Sequence, residues 1–296
     1  MTDAPAAGPP CPVCGAPAEA APRFVVNGHA IHRCPACTAG FVHPLPAPEA
    51  AAALYDADYF RRGDKYAAAG PDPNRANDEA KLDLLLRFGA PQRLLDVGCA
   101  LGGFLLAARD RGLSVTGVEV AEAAVRHARE VAGLEVIRGD LAEAGLPAGA
   151  FDAVTLWDVL EHLADPYPTL REAHRILKPG GLLALTTGDA ASPWARLTGR
   201  FWHLLTPPQH LYYHTPRSIG RLLAATGFTP VHTGHPGKRA TLGFIAFKAA
   251  EATGPPGRLL RAVVRALGLG NVQLHVNLGD IVTVVARKAD APGEAG

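Results

Sequence analysis

The chain has 296 residues, 29 Lys and Arg against 28 Asp and Glu, a formal net charge of +1 and a mean hydropathy of +0.07. That length buries a full α/β domain and still carries a small appended unit. The balanced charge excludes a global basic field for nucleic acid, no apolar run reaches the length of a membrane span, and the first ten residues carry neither the basic nor the apolar part of a secretory leader, so a cytoplasmic location is expected.

The N-terminal tail is followed by two C-x-x-C knuckles, Cys11-Pro-Val-Cys14 and Cys34-Pro-Ala-Cys37. Tight turns direct both sulfurs of each knuckle inward, and two knuckles at this separation predict a tetrahedral zinc site with ligands Cys11, Cys14, Cys34 and Cys37. Disulfides do not suit a chain without a secretory leader, and a redox pair needs a βαβ context that is absent here. With all four positions taken by thiolate the zinc is structural, and it supplies folding energy to a segment too short to build its own core. Residues 1–45 are thus expected as a zinc-ribbon head with a disordered tail, open to a protein partner. Residues 46–74 are expected as connector and helical cover, 75–288 as the main domain and 289–296 as a second tail. HPLPAP (43–48) makes a stiff joint. The rings of Tyr55, Tyr59, Phe60 and Tyr66 either fold over a ligand or pack the head against the domain. Asn74 is expected to N-cap a helix running to Phe88.

The most informative run is LLDVGCALGG (94–103). It reads as a buried strand turning sharply into a helix, the turn stripped of side chains so that a ligand lies against bare backbone. The next apolar strand, SVTGVEV (114–120), ends in Glu119, and EVIRGDL (135–141) is a third strand ending in Asp140. A Gly-rich turn plus a strand-end acid is the signature of a nucleoside. The spacing Gly98-x-x-x-Gly102-Gly103 is not that of a dinucleotide fold, and Asp96, two residues before the first glycine, suits a cationic ligand better than a pyrophosphate. FDAVTLWDVLEHL (151–163) is a fourth strand and its exit. Asp165-Pro166 opens a helix as N-cap and first helical residue, ILKPGG (176–181) stops it, and LLALTT (182–187) is a fifth strand. Strands six and seven are FTPVH (228–232) and DIVTVVA (280–286).

This ordered set resembles the class I S-adenosylmethionine (SAM)-dependent methyltransferases, in the branch related to ubiquinone-pathway enzymes. Asp96, Gly98 and Gly102 fall in register with the Asp/Glu-x-Gly-x-Gly-x-Gly pattern of that family, and Ala100 replaces its middle glycine. Such a methyl group is expected to be tolerated with φ below zero. The resemblance implies a Rossmann-like seven-stranded α/β sheet and a SAM site. It assigns cofactor contact to Asp96, Gly98, Cys99, Ala100, Gly102, Glu119, Val120, Asp140, Leu141, Trp157 and Asp158. Glu119 would grip the ribose hydroxyls and Asp140 the adenine amino group. Taken singly, Asp140 can instead cap the following helix, and Asp96 can bond its own turn.

Two insertions are expected to build the substrate site beyond the carboxyl ends of the strands. The first, 190–215, is too long for a plain connection and reads as a lid. Trp194, Trp202, Tyr212 and Tyr213, with Asp189 at its root, are the candidate substrate residues, although the tryptophans can equally plug the loop onto the domain. Imidazole and aromatic groups suit an uncharged or aromatic acceptor that needs deprotonation, and an oxygen nucleophile is the expected one. His210 is the leading candidate base and His162 the second. The second insertion, 234–277, holds a helix with Arg258, Arg261 and Arg265 on one face and Leu259, Leu260, Val263 and Leu267 on the other. It is expected to pack on the domain, with a membrane-surface or acidic-partner role as the alternative. Methyl transfer to a small molecule is the leading reading. An RNA methyltransferase is opposed by a head with only Arg23 and Arg33 between its outer cysteines. A non-catalytic SAM-binding protein is opposed by the intact cofactor positions.

Overall fold

The computed structural model describes residues 8–47, 50 and 73–289. Tyr55, Tyr59, Phe60 and Tyr66 lie outside the described residues. The N-terminal hairpin consists of β1 (Phe24–Val26), β2 (His29–Arg33) and β3 (Gly40–His43). Helix α1 (Pro73–Leu86) is already helical at Pro73, so Asn74 sits inside its first turn rather than capping it.

The βαβ units follow in order: β4 (Arg93–Val97), α2 (Gly103–Asp110), β5 (Ser114–Glu119), α3 (Glu122–Glu130) and β6 (Val136–Arg138). Next come β7 (Phe151–Trp157), a 3₁₀ turn over Leu160–His162 and α4 (Pro166–Ile176). Asp165 caps α4 by accepting from the Tyr167 N–H, with Pro at the first turn. The helix ends where β8 (Leu177–Gly188) begins, and Gly180 at φ 69 turns the chain within that strand's irregular start. The lid contains α5 (Pro193–Thr198), a 3₁₀ turn over Gly199–Phe201 and β9 (Tyr212–Tyr213). Helix α6 (Pro216–Ala225), closed by a Thr215–Ser218 capping box, leads into β10 (Phe228–Gly234). The second insertion is β11 (Lys238–Thr241), α7 (Leu242–Thr253), α8 (Pro255–Ala266) and β12 (Gln273–Val276), and β13 (Ile281–Lys288) is the last strand among the described residues.

The main sheet has the order β10-β13-β8-β7-β4-β5-β6. The pairs among β6, β5, β4, β7 and β8 are parallel, while β13 runs antiparallel between β8 and β10. Strands buried on both faces explain the near-continuous apolar runs of β4, β7 and β8. Helices cover both faces, with Leu82, Leu85, Leu94, Leu105 and Leu182 packed on one side and Leu95, Leu156, Leu170, Ile176 and Leu223 on the other.

The head is joined to the lid by a strand. β3 pairs with β9 (Gly40 with Tyr213, Phe41 with Tyr212), so β1-β2-β3-β9 form one four-stranded sheet. Val42 N–H donates to Leu211 O, Asn27 Nδ2 to Pro207 O and Tyr167 Oη to Val13 O. The tryptophans follow the plug alternative: Trp202 is buried with Ile31, Val42 and Tyr213, and Trp194 packs against that group. Helix α8 departs from the expectation. It packs on α7, with Arg261 over the Phe247 ring at 5.0 Å, while Leu259, Leu260, Val263 and Leu267 are 43–67% exposed. An insertion that closes on itself as a helical hairpin and a β11–β12 ribbon turns α8's apolar face outward, away from the sheet.

Candidate active site

Five chain segments end along one edge of the sheet. Asp96 stands near the end of β4 and Asp158 just past β7, Asp189 just past β8, Asp280 just before the antiparallel β13, and His235 just past β10. Neighbouring strands lie about 4.8 Å apart, so these groups form a row about 20 Å long.

The β4 end is built around a tight turn. Gly98 has φ 67, and a Cβ there would sit 2.7 Å from Val159 Cγ2. Gly102 has φ 88, and its Cβ would meet Leu134 Cδ1 at 2.3 Å. Only glycine fits either position. Ala100 does not have the negative φ expected of it: its φ is 49. The left-handed conformation strains an alanine by about 1–2 kcal/mol. Its N–H donates to Glu119 Oε2 at 2.9 Å, and that bond opposes the strain. The other Glu119 oxygen accepts from the Ala121 N–H at 2.9 Å. Each carboxylate oxygen retains a further lone pair for a diol. Burial pushes the Glu119 carboxyl up, and the backbone N–H groups of Ala121, Ala100 and Val120 pull it back.

Asp96 is buried, and Thr155 Oγ1 donates to its Oδ1 at 2.6 Å. Burial pushes its carboxyl up to about 7, against the Thr155 bond and the field of Lys81. An acid so placed gains most from a cation brought beside it. Asp140 is exposed, and its Oδ1 accepts from the Glu143 N–H at 2.9 Å, capping the turn after β6 while Leu141 beside it is buried. Val120, just past Glu119, is 43% exposed. Cys99 is buried, with its thiol pushed up by burial, which suits an inert filler.

Trp157 closes the other wall. Its ring meets Phe104 edge-on at 5.2 Å between centroids, Lys81 Nζ lies 5.4 Å from it, and its buried Nε1 has no hydrogen-bond partner among the described residues. Lys81 pairs with Asp78 at 3.2 Å, and both come from α1, whose Asp78 Oδ2 lies 3.0 Å from where a Gly103 Cβ would be. Sequence reading missed these two residues. Their signal was an acid and a base three apart on the helix entering the domain, a pattern too common to single out.

Beyond Trp157 the edge changes character. Asp158 holds φ 56, its N–H donates to Thr186, and Thr186 Oγ1 donates to its Oδ1 at 2.8 Å. Lys238 from β11 donates to its Oδ2 at 3.0 Å. Asp189 is buried and holds His235 Nε2 at 2.8 Å. Trp202 Nε1 donates to Asp280 Oδ2 at 2.8 Å, and His203 lies 3.6 Å from the same oxygen. Thr186, His235, Lys238 and Asp280 were missed by sequence reading.

His210 and His162 are brought together, their rings edge-on at 4.8 Å. Each Nδ1 faces a backbone carbonyl at 2.8 Å, of Leu204 and Gln209 respectively, and buried Glu161 stands beside them. Tyr212 and Tyr213 are not open to a ligand. Both are buried at the seam with the head, with hydroxyls donating to Ala164 O and His210 O, and burial raises both phenols.

In the head, the sulfurs of Cys11, Cys14, Cys34 and Cys37 all lie within 4.8 Å of one another. The Cys11–Cys37 and Cys14–Cys34 sulfurs are 3.5 and 3.6 Å apart. A disulfide needs about 2.05 Å, whereas four thiolates around zinc stand about 3.8 Å apart. The Cys11 sulfur, with those of Cys14 and Cys34, pulls the Cys37 thiol down to about 5. Among the described residues no helix is long and apolar enough to cross a membrane.

The Methyltransferase domain family matches residues 70–233, more than half of the chain. A ubiquinone biosynthesis O-methyltransferase of Pseudomonas aeruginosa is 38% identical over 106 residues, which cover 33% of this chain and 45% of that protein. One of Ruegeria pomeroyi is 46% identical over 101 residues, 32% of this chain and 40% of that protein. The chain thus spans less than half the length of the curated relatives it matches. In structure, a SAM-dependent methyltransferase from Archaeoglobus fulgidus superimposes with a TM-score of 0.52 at 19% identity, covering 78% of this chain and 99% of that one. That likeness shows the fold.

Proposed function

The chain belongs to the Methyltransferase domain family, and from that premise we propose that it transfers a methyl group from SAM to a small-molecule acceptor, on oxygen. The observation that carries this reading is the pair of buried carboxylates, Asp96 and Glu119, on adjacent strands around a turn that admits no side chain at Gly98 or Gly102. The donor set fits the cofactor. Glu119 has lone pairs for a ribose diol, Asp96 has a buried charge for an ammonium or sulfonium, and the Trp157 indole N–H lacks a partner. Leu141, Cys99, Ala100 and Val120 would line the same cradle, with Asp140 at the base end and Asp158 at the methyl end. When bound, SAM supplies an electrophilic methyl carbon that an acceptor atom attacks in line.

The protein's own work is positioning, exclusion of water and proton removal. Alignment of two reactants lowers a barrier by on the order of 7–11 kcal/mol. The lid packs at the β8–β13 end, with Trp202 against Gly188 and anchored on Asp280, and Trp194 packed with it. A neutral hydroxyl is a poor nucleophile, so an imidazole on this side relieves the acceptor of its proton. Sequence pattern offers His210 and His162 as imidazoles of this kind, and each has its Nδ1 facing a backbone carbonyl. The oxygen acceptor draws support from the names of the curated relatives.

For the head we propose one structural zinc held by Cys11, Cys14, Cys34 and Cys37. Their spacing fits a tetrahedral ion and leaves no ligand position for water. The test of the enzymatic reading is incubation of the purified protein with methyl-labelled SAM and the small-molecule fraction of a cell extract, followed by mass spectrometry. One or a few labelled products of low mass are expected. Label found only in RNA or protein, or none above a boiled control, would overturn it.

A further inference from the structure

We propose, on the methyl-transfer reading above, that Asp189 and His235 form a catalytic dyad in which His235 Nδ1 takes the proton from the acceptor's hydroxyl. The two residues are 46 apart in sequence and come from different elements, one from the exit of β8 and one from the turn after β10.

The dyad is built rather than incidental. Asp189 is buried, its backbone N–H donates to Asp280 O at 2.8 Å, and its Oδ1 accepts from the Ala191 N–H at 2.8 Å. Only Oδ2 is left for the imidazole, which it meets at 2.8 Å. A carboxylate accepts and never donates, so Nε2 carries the hydrogen and the basic lone pair is on Nδ1. Nδ1 has no hydrogen-bond partner among the described residues, and the side chain is 35% exposed, open to acceptor and solvent. The backbone is fixed as well, because Asn277 Nδ2 donates to His235 O at 3.0 Å. This is the logic of an oriented base: one acid sets tautomer and ring plane and then stabilises the imidazolium. His210 differs, because its Nδ1 faces the Leu204 carbonyl and its ring abuts His162.

The step balances. The acceptor's O–H proton moves to His235 Nδ1. The freed oxygen pair forms the bond to the methyl carbon while the carbon–sulfur pair returns to sulfur. The imidazolium then releases its proton to water. Beside the dyad the Lys238–Asp158 pair, at 3.0 Å, offers a donor and an acceptor to the acceptor's other polar groups. The class of substrate is therefore a hydroxylated small molecule whose hydroxyl enters protonated.

Asp189 meets His235 directly, and Asp280 and the Lys238–Asp158 pair stand along the same edge, so the pH response is read by difference between variants. Two measurements on the full chain decide. In ¹⁵N-histidine NMR without any acceptor, His235 should show the Nε2–H tautomer, and D189A should lose that preference. In label transfer from SAM to the extract fraction, H235Q should lose about 100-fold and flatten the acid limb of the rate profile, with SAM affinity by calorimetry within twofold. H210Q should lose less than tenfold. An Nδ1–H tautomer, a tautomer preference indifferent to D189A, or an H235Q rate near wild type would each overturn the dyad. If the wild type labels nothing, the methyl-transfer reading falls, and the tautomer measurement still judges the pairing.

Discussion

The two halves of the sheet's carboxyl edge are made differently. On the β4–β5 side, the turn and its two acids sit within 26 residues and are locked by backbone bonds, Ala100 N–H to Glu119 and Ala121 N–H to Glu119. On the β7–β8–β13–β10 side, each acid meets a partner supplied from far along the chain: Lys238 to Asp158, His235 to Asp189 and Trp202 to Asp280. The first half is a fixed local cradle. The second is an assembly that depends on two insertions staying closed over the sheet, and so it is the half free to differ in what it binds.

The largest effect expected is on the cradle alone. Asp96→Ala and Glu119→Ala should each weaken SAM binding more than 100-fold by calorimetry, with circular dichroism unchanged. If affinity survives in both, the cofactor does not lie on this half. Next in size is Cys14→Ser. A structural zinc site loses its metal when one thiolate goes, so elemental analysis should fall from one zinc per chain to none. The near-ultraviolet signal of Trp202 should weaken as well, because β3 supports β9. SAM affinity should change little, since the cradle shares no strand with the head.

A pH series sharpens the contrast further. The Asp96 carboxyl is pushed up to about 7 by burial. It is charged above that pH and neutral below it, and a cation is drawn only to the charged form. SAM affinity should therefore be full above about pH 7.5 and fall by up to about tenfold per unit below pH 7. Asp96→Asn should flatten the curve at the low level. The smallest effect is Ala100→Gly, which removes the left-handed strain and adds backbone entropy to the unfolded chain. The net gain in stability should be at most on the order of 1 kcal/mol by chemical denaturation.

What was legible in the sequence follows the same division. The strand–turn–helix of 94–108, the acid ending β5 and the Asp165-Pro166 helix start are local signals, written within a few residues of the structure they specify. The four cysteines are legible for the same reason: two turns and a fixed spacing. Ala100 was misjudged because the bond from its amide to Glu119 crosses between strands and is invisible in a local pattern. His235 and Lys238 carried no signal at all. One follows β10 and the other opens β11, on either side of a Pro-Gly pair, and their meaning comes from the second insertion carrying them onto Asp189 and Asp158. The outward face of α8 was misread because an amphipathic pattern states that a helix has two faces, not which one meets the body of the protein.

The shared sheet of head and lid sets a limit on how this chain can be divided. β9 has β3 as its strand partner, and Phe41 lies opposite Tyr212 in that register. A cut between residues 48 and 72 that discards the front piece would leave a bare strand edge flanked by two suddenly wetted tyrosines, the kind of surface that recruits other copies into aggregates. Any transplant of the catalytic body onto a new front end must therefore bring a replacement strand for residues 40–42, or lose solubility before it loses chemistry.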